Sequence, residues 1–156
     1  RGGRGNGQSG RYPLDGRKDM AGRRRSRILA LQFLFVEDVN AWEAFEQELK
    51  MFSARYHLSP EDFPHFFTLV RGVFDKLYEL NNLILGHSKN WKMTRMSGVD
   101  RNLMRIAVYE MLYCDDVPST VAINEAIEIA KRFSTEDAGA FINGVLDGIG
   151  KTLELP

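Results

Sequence analysis

The stretch TVAINEAIEIAKRF at residues 120–133 shows the pattern that decides the fold class. Apolar residues recur there at the spacing of one helix face, namely Ile123, Ile127 and Ala130. The charged residues between them are expected to face solvent, namely Glu125, Glu128 and Arg132. Apolar residues three and four positions apart, with charges between them, predict an amphipathic α-helix.

The segments before this stretch follow the same period. Residues 24–38 are apolar on nearly every side, which is typical of a helix buried through most of its circumference. One clean apolar stripe runs from Trp42 to Tyr56, and a second runs from Phe63 to Ile84 for about six turns. Ser59 followed by Pro60 predicts the start of the helix that carries the second stripe.

Two serine–aspartate pairs predict the starts of further helices. Ser97 and Asp100 have the spacing of a capping box, ahead of the apolar residues 99–112. Ser134 and Asp137 repeat that spacing ahead of a final helix. No strand-like alternation bounded by turn signals occurs in the sequence, so the predicted fold class is all-α.

Composition limits the class of protein. A chain of 156 residues with 44% hydrophobic and 27% charged residues is typical of one soluble globular domain. The single cysteine, Cys114, excludes an internal disulfide and suits the reducing cytoplasm, where we expect the protein to act. No apolar run approaches the roughly 18 residues of a membrane-spanning helix.

The formal charge of zero hides an uneven distribution. Residues 1–27 carry nine Arg or Lys against two Asp, a net charge of +7, which leaves −7 for the other 129 residues. Residues 1–20 are rich in Gly and Arg without an apolar period, so we predict a disordered arm ahead of a helical domain at 21–156. A basic arm on an acidic body is attracted to polyanions.

Four arginines cluster where the helical pattern begins, namely Arg23, Arg24, Arg25 and Arg27. Guanidinium groups pair with phosphates and stack on bases, so this cluster is interpreted as a clamp for an RNA backbone. Cations at a helix N-terminus oppose the helix dipole, so helix stability does not explain their placement. The alternative is a solvated basic flank without a ligand.

Three blocks of sequence together resemble the NusB family. They are RRRSRILALQFLF at 23–35, NWKMTRMSGVDRNLMRIAVYEML at 90–112 and DVPSTVAINEAIEIAKRFSTEDAGAFINGVLD at 116–147. The strings VAINEAIEIAKRF and FINGVLD are the most specific in order and spacing. The resemblance covers roughly residues 21–153. Ser134 departs from it, standing where the family commonly has Gly, and Phe35 stands where the family often has Tyr.

The resemblance implies a compact bundle of about seven helices in two subdomains. It implies transcription antitermination through binding of single-stranded boxA-type RNA from leaders of ribosomal RNA operons. The partner it implies is small-subunit ribosomal protein number ten, also called NusE, and the pair would join an elongating RNA polymerase complex. Some family members pair through the RNA face, so a homodimer is a further expectation.

The resemblance also adds candidate site residues. Phe141 and Asp137 match family positions near the RNA, where an exposed ring could stack on an unpaired base; the alternatives are a core position for Phe141 and a helix cap for Asp137. Lys131 is a candidate phosphate contact or an ordinary solvated charge. Arg105 is either an RNA contact or part of an ion pair, with Glu110 or Asp100 as candidate partners.

A separate surface is expected to dock the protein partner. Phe35, Asp100 and Arg101 are its candidates, although a structural ion pair is the favoured alternative for Arg101. Asn124 lies within an apolar stretch and is expected to satisfy polar groups in the core.

Catalysis finds little support in the sequence. His57, His65 and His87 lack metal-ligand spacing, and Cys114 has no neighbouring His or zinc-type partner. No phosphate-binding glycine loop is present either. We therefore predict neither enzymatic activity nor a cofactor or metal. Two alternatives to the antitermination factor stay open: a protein-interaction module without specific RNA binding, and the NusB-like part of an RNA-modifying enzyme, which would need a following α/β cofactor domain.

Overall fold

A computed structural model describes the backbone of residues 16–89 and 92–156, and the side chains of these ranges from Gly22 onward. Seven α-helices and one short 3₁₀ helix, Met93–Arg95, make up the described part of the chain, and it contains no strand. In chain order the α-helices are α1 Gly16–Val39, α2 Phe45–Arg55, α3 Pro64–Asp75, α4 Leu77–His87, α5 Gly98–Tyr113, α6 Ser119–Phe133 and α7 Ala138–Thr152. The prediction of an all-α bundle is confirmed.

Helix α5 is the centre of the bundle. It begins as predicted, because the Ser97 side chain accepts a hydrogen bond of 3.0 Å from the Asp100 backbone N–H. All residues from Asn102 to Val108 are buried, so the helix has no solvated face along this length. A helix buried all round must have neighbours on every side, and α5 packs against α1, α3, α4, α6 and α7.

Two groups of helices meet at α5. Helices α1, α2 and α3 enclose an aromatic cluster in which the Phe33 ring meets Phe45, Phe52 and Phe66 edge-on at 5.3–6.4 Å between ring centroids. Edge-to-face pairs of this kind add to the stabilisation from burial. On the other side α6 and α7 pack against each other, and α4 packs against α5 and α7.

Several helix boundaries differ from the predicted ones. The Ser59 side chain accepts a hydrogen bond from the Asp62 N–H, but α3 begins only at Pro64. The long stripe is divided at Lys76 into α3 and α4. Helix α1 begins at Gly16, inside the predicted arm, while residues 1–15 lie outside the described part of the chain.

No helix among the described residues is both long enough and apolar enough to cross a membrane.

Candidate nucleic-acid interface

The arginine cluster lies about two turns into α1, because this helix begins at Gly16. The dipole penalty expected for cations in a first turn therefore does not apply to it. Its members have different environments. Arg24 and Arg25 are exposed, Arg23 is half-buried, and Arg27 is only 3% exposed.

The ion pairs of Arg23 and Arg24 link α1 to α6 and to the turn before it. An Arg23 Nη2 atom donates to Asp116 Oδ2 at 2.5 Å. Arg24 forms a fork with Glu125, in which Nε and Nη2 donate to the two carboxylate oxygens at 2.9 and 2.6 Å. The side chain of Arg24 nevertheless remains 45% exposed, so part of it can still meet a ligand.

These contacts keep the carboxylates ionised. The hydrogen bond from Arg24 lowers the pKa of Glu125, although burial works in the opposite direction. The hydrogen bond from Arg23 likewise lowers the pKa of Asp116. Charge-assisted pairs with this fork geometry are the stronger class of hydrogen bond and fix the side-chain direction. The arginines are therefore held in defined positions before any ligand arrives.

Arg25 differs from its neighbours. Its guanidinium carbon lies 5.7 Å from the centroid of the Phe63 ring, a cation–π contact that leaves the charge uncompensated. In the part of the chain that the structure describes, no carboxylate pairs with Arg25. It is therefore the arginine of the cluster that is most open to an incoming anion.

Arg27 belongs to the interior. Its Nε donates to both oxygens of Glu110 at 3.1 and 2.9 Å, and its Nη1 donates to Glu125 at 3.3 Å. His65 Nε2 lies 2.5 Å from Glu110 Oε2. This buried cluster joins α1, α3, α5 and α6. It directs Arg27 into the interior, so the predicted contact between Arg27 and RNA is wrong.

Helix α6 presents an exposed stripe next to these arginines. Val121, Asn124, Glu128 and Lys131 are all exposed and follow one another at helical spacing. Lys131 Nζ lies 2.8 Å from Glu128. The prediction that Asn124 serves the core is therefore wrong. We call the exposed residues Arg24 and Arg25 of α1 and Asn124 and Lys131 of α6 the basic edge.

A second prediction for α6, that Glu125 faces solvent, is wrong. Glu125 is buried, because it shares an inner face with Ala122, Ala126 and Ile129. An acidic residue within an apolar stripe is the sequence signal of a buried ion pair, and this signal could have identified Glu125 as the anchor of Arg24 and Arg27.

The end of α6 and the start of α7 carry the remaining candidate residues for RNA binding. Asp137 is exposed at the N-cap of α7 and makes no side-chain capping bond, so the predicted capping box is absent. Ser134 instead donates its hydroxyl to Asp100 Oδ1 at 2.6 Å. Phe141 is half-buried and packs against the edge of the core, while the Arg132 guanidinium lies over the exposed Phe133 ring at 5.0 Å.

Arg105 and Arg101 share one acidic partner, Asp38 at the end of α1. Arg101 Nε lies 2.7 Å and Arg105 Nη1 lies 3.0 Å from the same Asp38 oxygen. The candidate partners Glu110 and Asp100 were wrong for Arg105, while the favoured structural ion pair of Arg101 is present. Arg105 is buried and also donates to Asn81 at 2.8 Å, so its guanidinium group is not presented at the surface.

The candidate partner-binding residues lie together where α1 ends and α5 begins. The exposed Phe35 ring lies against Gly98, so close that a Cβ atom at this position would meet the ring carbon at 2.5 Å. Asp100 is half-buried beside Ser134, and Arg101 donates to the Met93 and Met96 carbonyl oxygens. This region shares no residue with the basic edge, although the Ser134–Asp100 hydrogen bond joins it to the end of α6.

The described residues contain no group of three or more His, Cys, Asp or Glu side chains that could hold a metal. Burial raises the pKa of Cys114 to about 11, so this thiol stays protonated at neutral pH and is a poor nucleophile. The described residues thus form an all-helical bundle with exposed arginines that are a candidate nucleic-acid interface.

Comparison with known proteins agrees with this class. Residues 24–151 match the model of the NusB family. The transcription antitermination protein NusB of Desulfosudis oleivorans is 61% identical over 136 residues, covering 86% of this chain and 88% of that protein. The NusB protein of Geobacter sulfurreducens is 44% identical over 86% of this chain and 97% of its own length. The chain belongs to the NusB family.

Solved structures give the same result for the fold. NusB of T. maritima superposes with a TM-score of 0.75 at 38% identity, covering 83% of this chain and 90% of that one. A structure of the antitermination factors NusB and NusE in complex with double-stranded RNA gives 0.74 at 23% identity, covering 85% and 98%. The predicted resemblance is thus confirmed. Because the relatives are antitermination factors of a non-enzymatic family, the prediction that the chain is not an enzyme is also confirmed.

Proposed function

We propose that this protein is a transcription antitermination factor that binds single-stranded boxA-type RNA from ribosomal RNA operon leaders. In this proposal it acts together with NusE, the small-subunit ribosomal protein number ten, and the pair joins the elongating RNA polymerase complex. Relatives up to 61% identical carry the antitermination name, and one structural neighbour is a NusB–NusE assembly with RNA.

The observation that carries the RNA proposal is the basic edge. Arg24 is held in place by Glu125 yet remains partly exposed, and Arg25 has no carboxylate partner among the described residues. Lys131, which is exposed and pairs with Glu128, adds a third cation on α6. Phosphate contacts of this kind position a nucleic acid, while contacts to unpaired bases provide sequence choice.

Burial removes two arginines from the RNA contacts that were expected from the sequence. Arg27 and Arg105 are each 3% exposed and each is paired with a buried or half-buried carboxylate, so we propose that they position the surface residues instead of touching RNA. Asp137 and Phe141 remain candidate contacts at the far end of the surface. An aromatic ring there would provide a stacking platform for an unpaired base.

The proposed NusE surface is the separate region around Phe35, Asp100 and Arg101. It shares no residue with the basic edge, so we propose that both ligands bind at once. Two modest interactions on one assembly gain from effective concentration, so the RNA affinity of the pair should exceed that of either protein alone.

Fluorescence anisotropy with a labelled boxA-type RNA tests the proposal. We expect the full chain to bind this RNA, and we expect purified NusE to increase the affinity about tenfold or more through the linked contacts. A scrambled RNA of equal length is the matched control. Binding of NusE without any RNA affinity would favour a pure protein-interaction module and contradict the proposed function.

A further inference from the structure

A cleft of about 190 Å³ opens beside the first arginine of the cluster. Helix α1 contributes one wall, and the turn before α6 together with the first turns of α6 contributes the other. The residues that line the cleft are Arg23, Arg27, Asp116, Val117, Pro118, Val121 and Glu125. None of its lining residues belongs to the basic edge, although Val121 lies on the same exposed stripe as Asn124.

We propose that this cleft binds one unpaired guanine base of the RNA, with Asp116 as the residue that selects it. The inference rests on the proposed RNA-binding function and adds a base-specific subsite to it.

The size of the cleft suits a nucleobase. An engineered protein cavity of roughly 150 Å³ is known to admit a benzene ring, so 190 Å³ accommodates a planar base that enters from an open side. Val117, Pro118 and Val121 supply an apolar wall for the face of the ring. Such mixed pockets, mostly apolar with a few placed polar groups, are the usual form of a small-ligand site.

The charges of the cleft disfavour a phosphate and favour a base. Asp116 lies at the rim with its side chain 66% exposed, and the Glu125 carboxylate lies deeper. Arg23 and Arg27 line the cleft as well and pair with these carboxylates, so the charges of the lining sum to zero and leave no excess positive charge for a phosphate, whereas the edge of a base is neutral. Phosphates would instead bind at Arg25 and Arg24 on the neighbouring basic edge.

The polar groups match guanine in particular. Arg23 holds one Asp116 oxygen at 2.5 Å, which places a carboxylate and a guanidinium group side by side. A carboxylate offers acceptors only, and a guanidinium group offers donors only. Guanine presents two adjacent donors, its ring N1–H and its 2-amino group, next to the O6 acceptor. The other three bases do not combine two neighbouring donors on the edge that unpaired bases expose to proteins.

The test compares guanosine with inosine, which lacks only the 2-amino group. The probes are short oligouridine strands with one central guanosine or inosine, and the readout is fluorescence anisotropy of the full chain. A hydrogen bond to a charged group corresponds to a roughly tenfold affinity difference, so we expect the native protein to prefer guanosine by about this factor. In Asp116→Asn the preference should fall to near one.

Matched variants separate selection from general charge effects. Asp115→Asn removes the same charge from the neighbouring exposed residue and should keep the guanosine preference. Val121→Phe places a ring at the apolar wall and should abolish the preference, whereas Val36→Phe, at an exposed position of α1 outside the cleft, should not. Circular dichroism checks that each variant is folded.

Equal affinity of the native protein for the two strands would overturn the cleft proposal, and so would an unchanged preference in Asp116→Asn. Binding of boxA-type RNA without the preference would leave the proposed function intact. A complete lack of RNA binding would instead overturn the proposed function and the subsite with it.

Discussion

Arg27 and Glu110 meet inside the bundle, where the arginine Nε lies 2.9 Å from the carboxylate although 83 positions separate the two residues. Both are 4% exposed or less, and Glu125 and His65 complete the cluster around them. The pair fixes α1 against α5. It thereby sets the position of Arg24 and Arg25, which occur three and two residues earlier in the same helix.

Replacement of Arg27 by Met should destabilise the protein strongly. The change leaves the Glu110 carboxylate buried without its main cation, and breaking a buried pair in this way costs about 3–5 kcal/mol. Urea denaturation followed by circular dichroism measures the free energy of unfolding. Arg25→Met is the matched control, and its free energy of unfolding should stay within about 0.5 kcal/mol of the native value because the residue is exposed.

The double variant Arg27→Met with Glu110→Met should recover part of this loss, because the unpaired charge is then absent. If Arg27→Met alone were as stable as the native protein, the cluster would not hold α1 in place.

The stability should also depend on pH through Glu37. This side chain is 0% exposed, and neither of its carboxylate oxygens receives an N–H or hydroxyl donor among the described residues. Burial, with the neighbouring Glu48 carboxyl, raises the pKa of Glu37 from 4.5 to about 8. Between these two values the folded protein holds a proton that the unfolded chain releases, so the free energy of unfolding should fall as the pH rises through this window.

Glu37→Gln removes the proton requirement while it keeps the shape. The variant should match the native protein near pH 4 and become progressively more stable than it up to about pH 8, as measured by urea denaturation across this range. The exposed Glu61→Gln should follow the native pH dependence. A constant difference between Glu37→Gln and the native protein at every pH would show that Glu37 does not titrate in this window.

Close packing of α3 on α5 predicts how two glycine substitutions change the stability of the protein. Gly72 is buried, and the Tyr109 ring occupies the space that a Cβ atom would take. Gly72→Ala should therefore destabilise by about 1–3 kcal/mol through overpacking. Gly86 in α4 has nothing within 4 Å of its Cβ position, so Gly86→Ala should instead stabilise by about 0.5–1 kcal/mol. Thermal unfolding of both variants checks this opposite pair of signs.

Most of the fold could be predicted from the sequence, because helical periodicity depends on local spacing. The segment 120–133 and the Ser97 cap of α5 are observed as expected. The boundary at Lys76 was missed, because the apolar stripe continues across it with no Gly or Pro to mark the break. The start of α3 was misplaced for a similar reason, since Ser59 and Pro60 form a turn with the features of a cap.

The site was less predictable, because ion pairs join residues far apart in sequence. Asp38 forms ion pairs with Arg101 and Arg105, which lie more than 60 positions away in the sequence. No local spacing of residues indicates such pairs. The cluster of arginines was evident, but the sequence could not show that Arg27 faces inward and Arg25 outward. That division depends on Glu110 and Glu125, whose positions are set by packing.

Binding of RNA should weaken with salt in a defined way. If about three phosphates are neutralised at the basic edge, the logarithm of the association constant should fall with the logarithm of salt concentration at a slope near −2, since each contact to a single strand contributes roughly −0.7. Arg25→Gln should reduce the magnitude of the slope by about 0.7. Anisotropy titrations at a series of salt concentrations measure both values, and an affinity independent of salt would contradict phosphate binding at this edge.

The central claim is that exposed arginines of α1 bind the RNA backbone, and one comparison tests it most directly. The double variant Arg24→Gln with Arg25→Gln is titrated with boxA-type RNA beside Lys50→Gln with Arg71→Gln, which removes two exposed cations near α2. We expect the first variant to lose at least about tenfold in affinity, because charge-assisted hydrogen bonds are lost, and the second to bind like the native protein. Equal affinities for the two variants would contradict the claim.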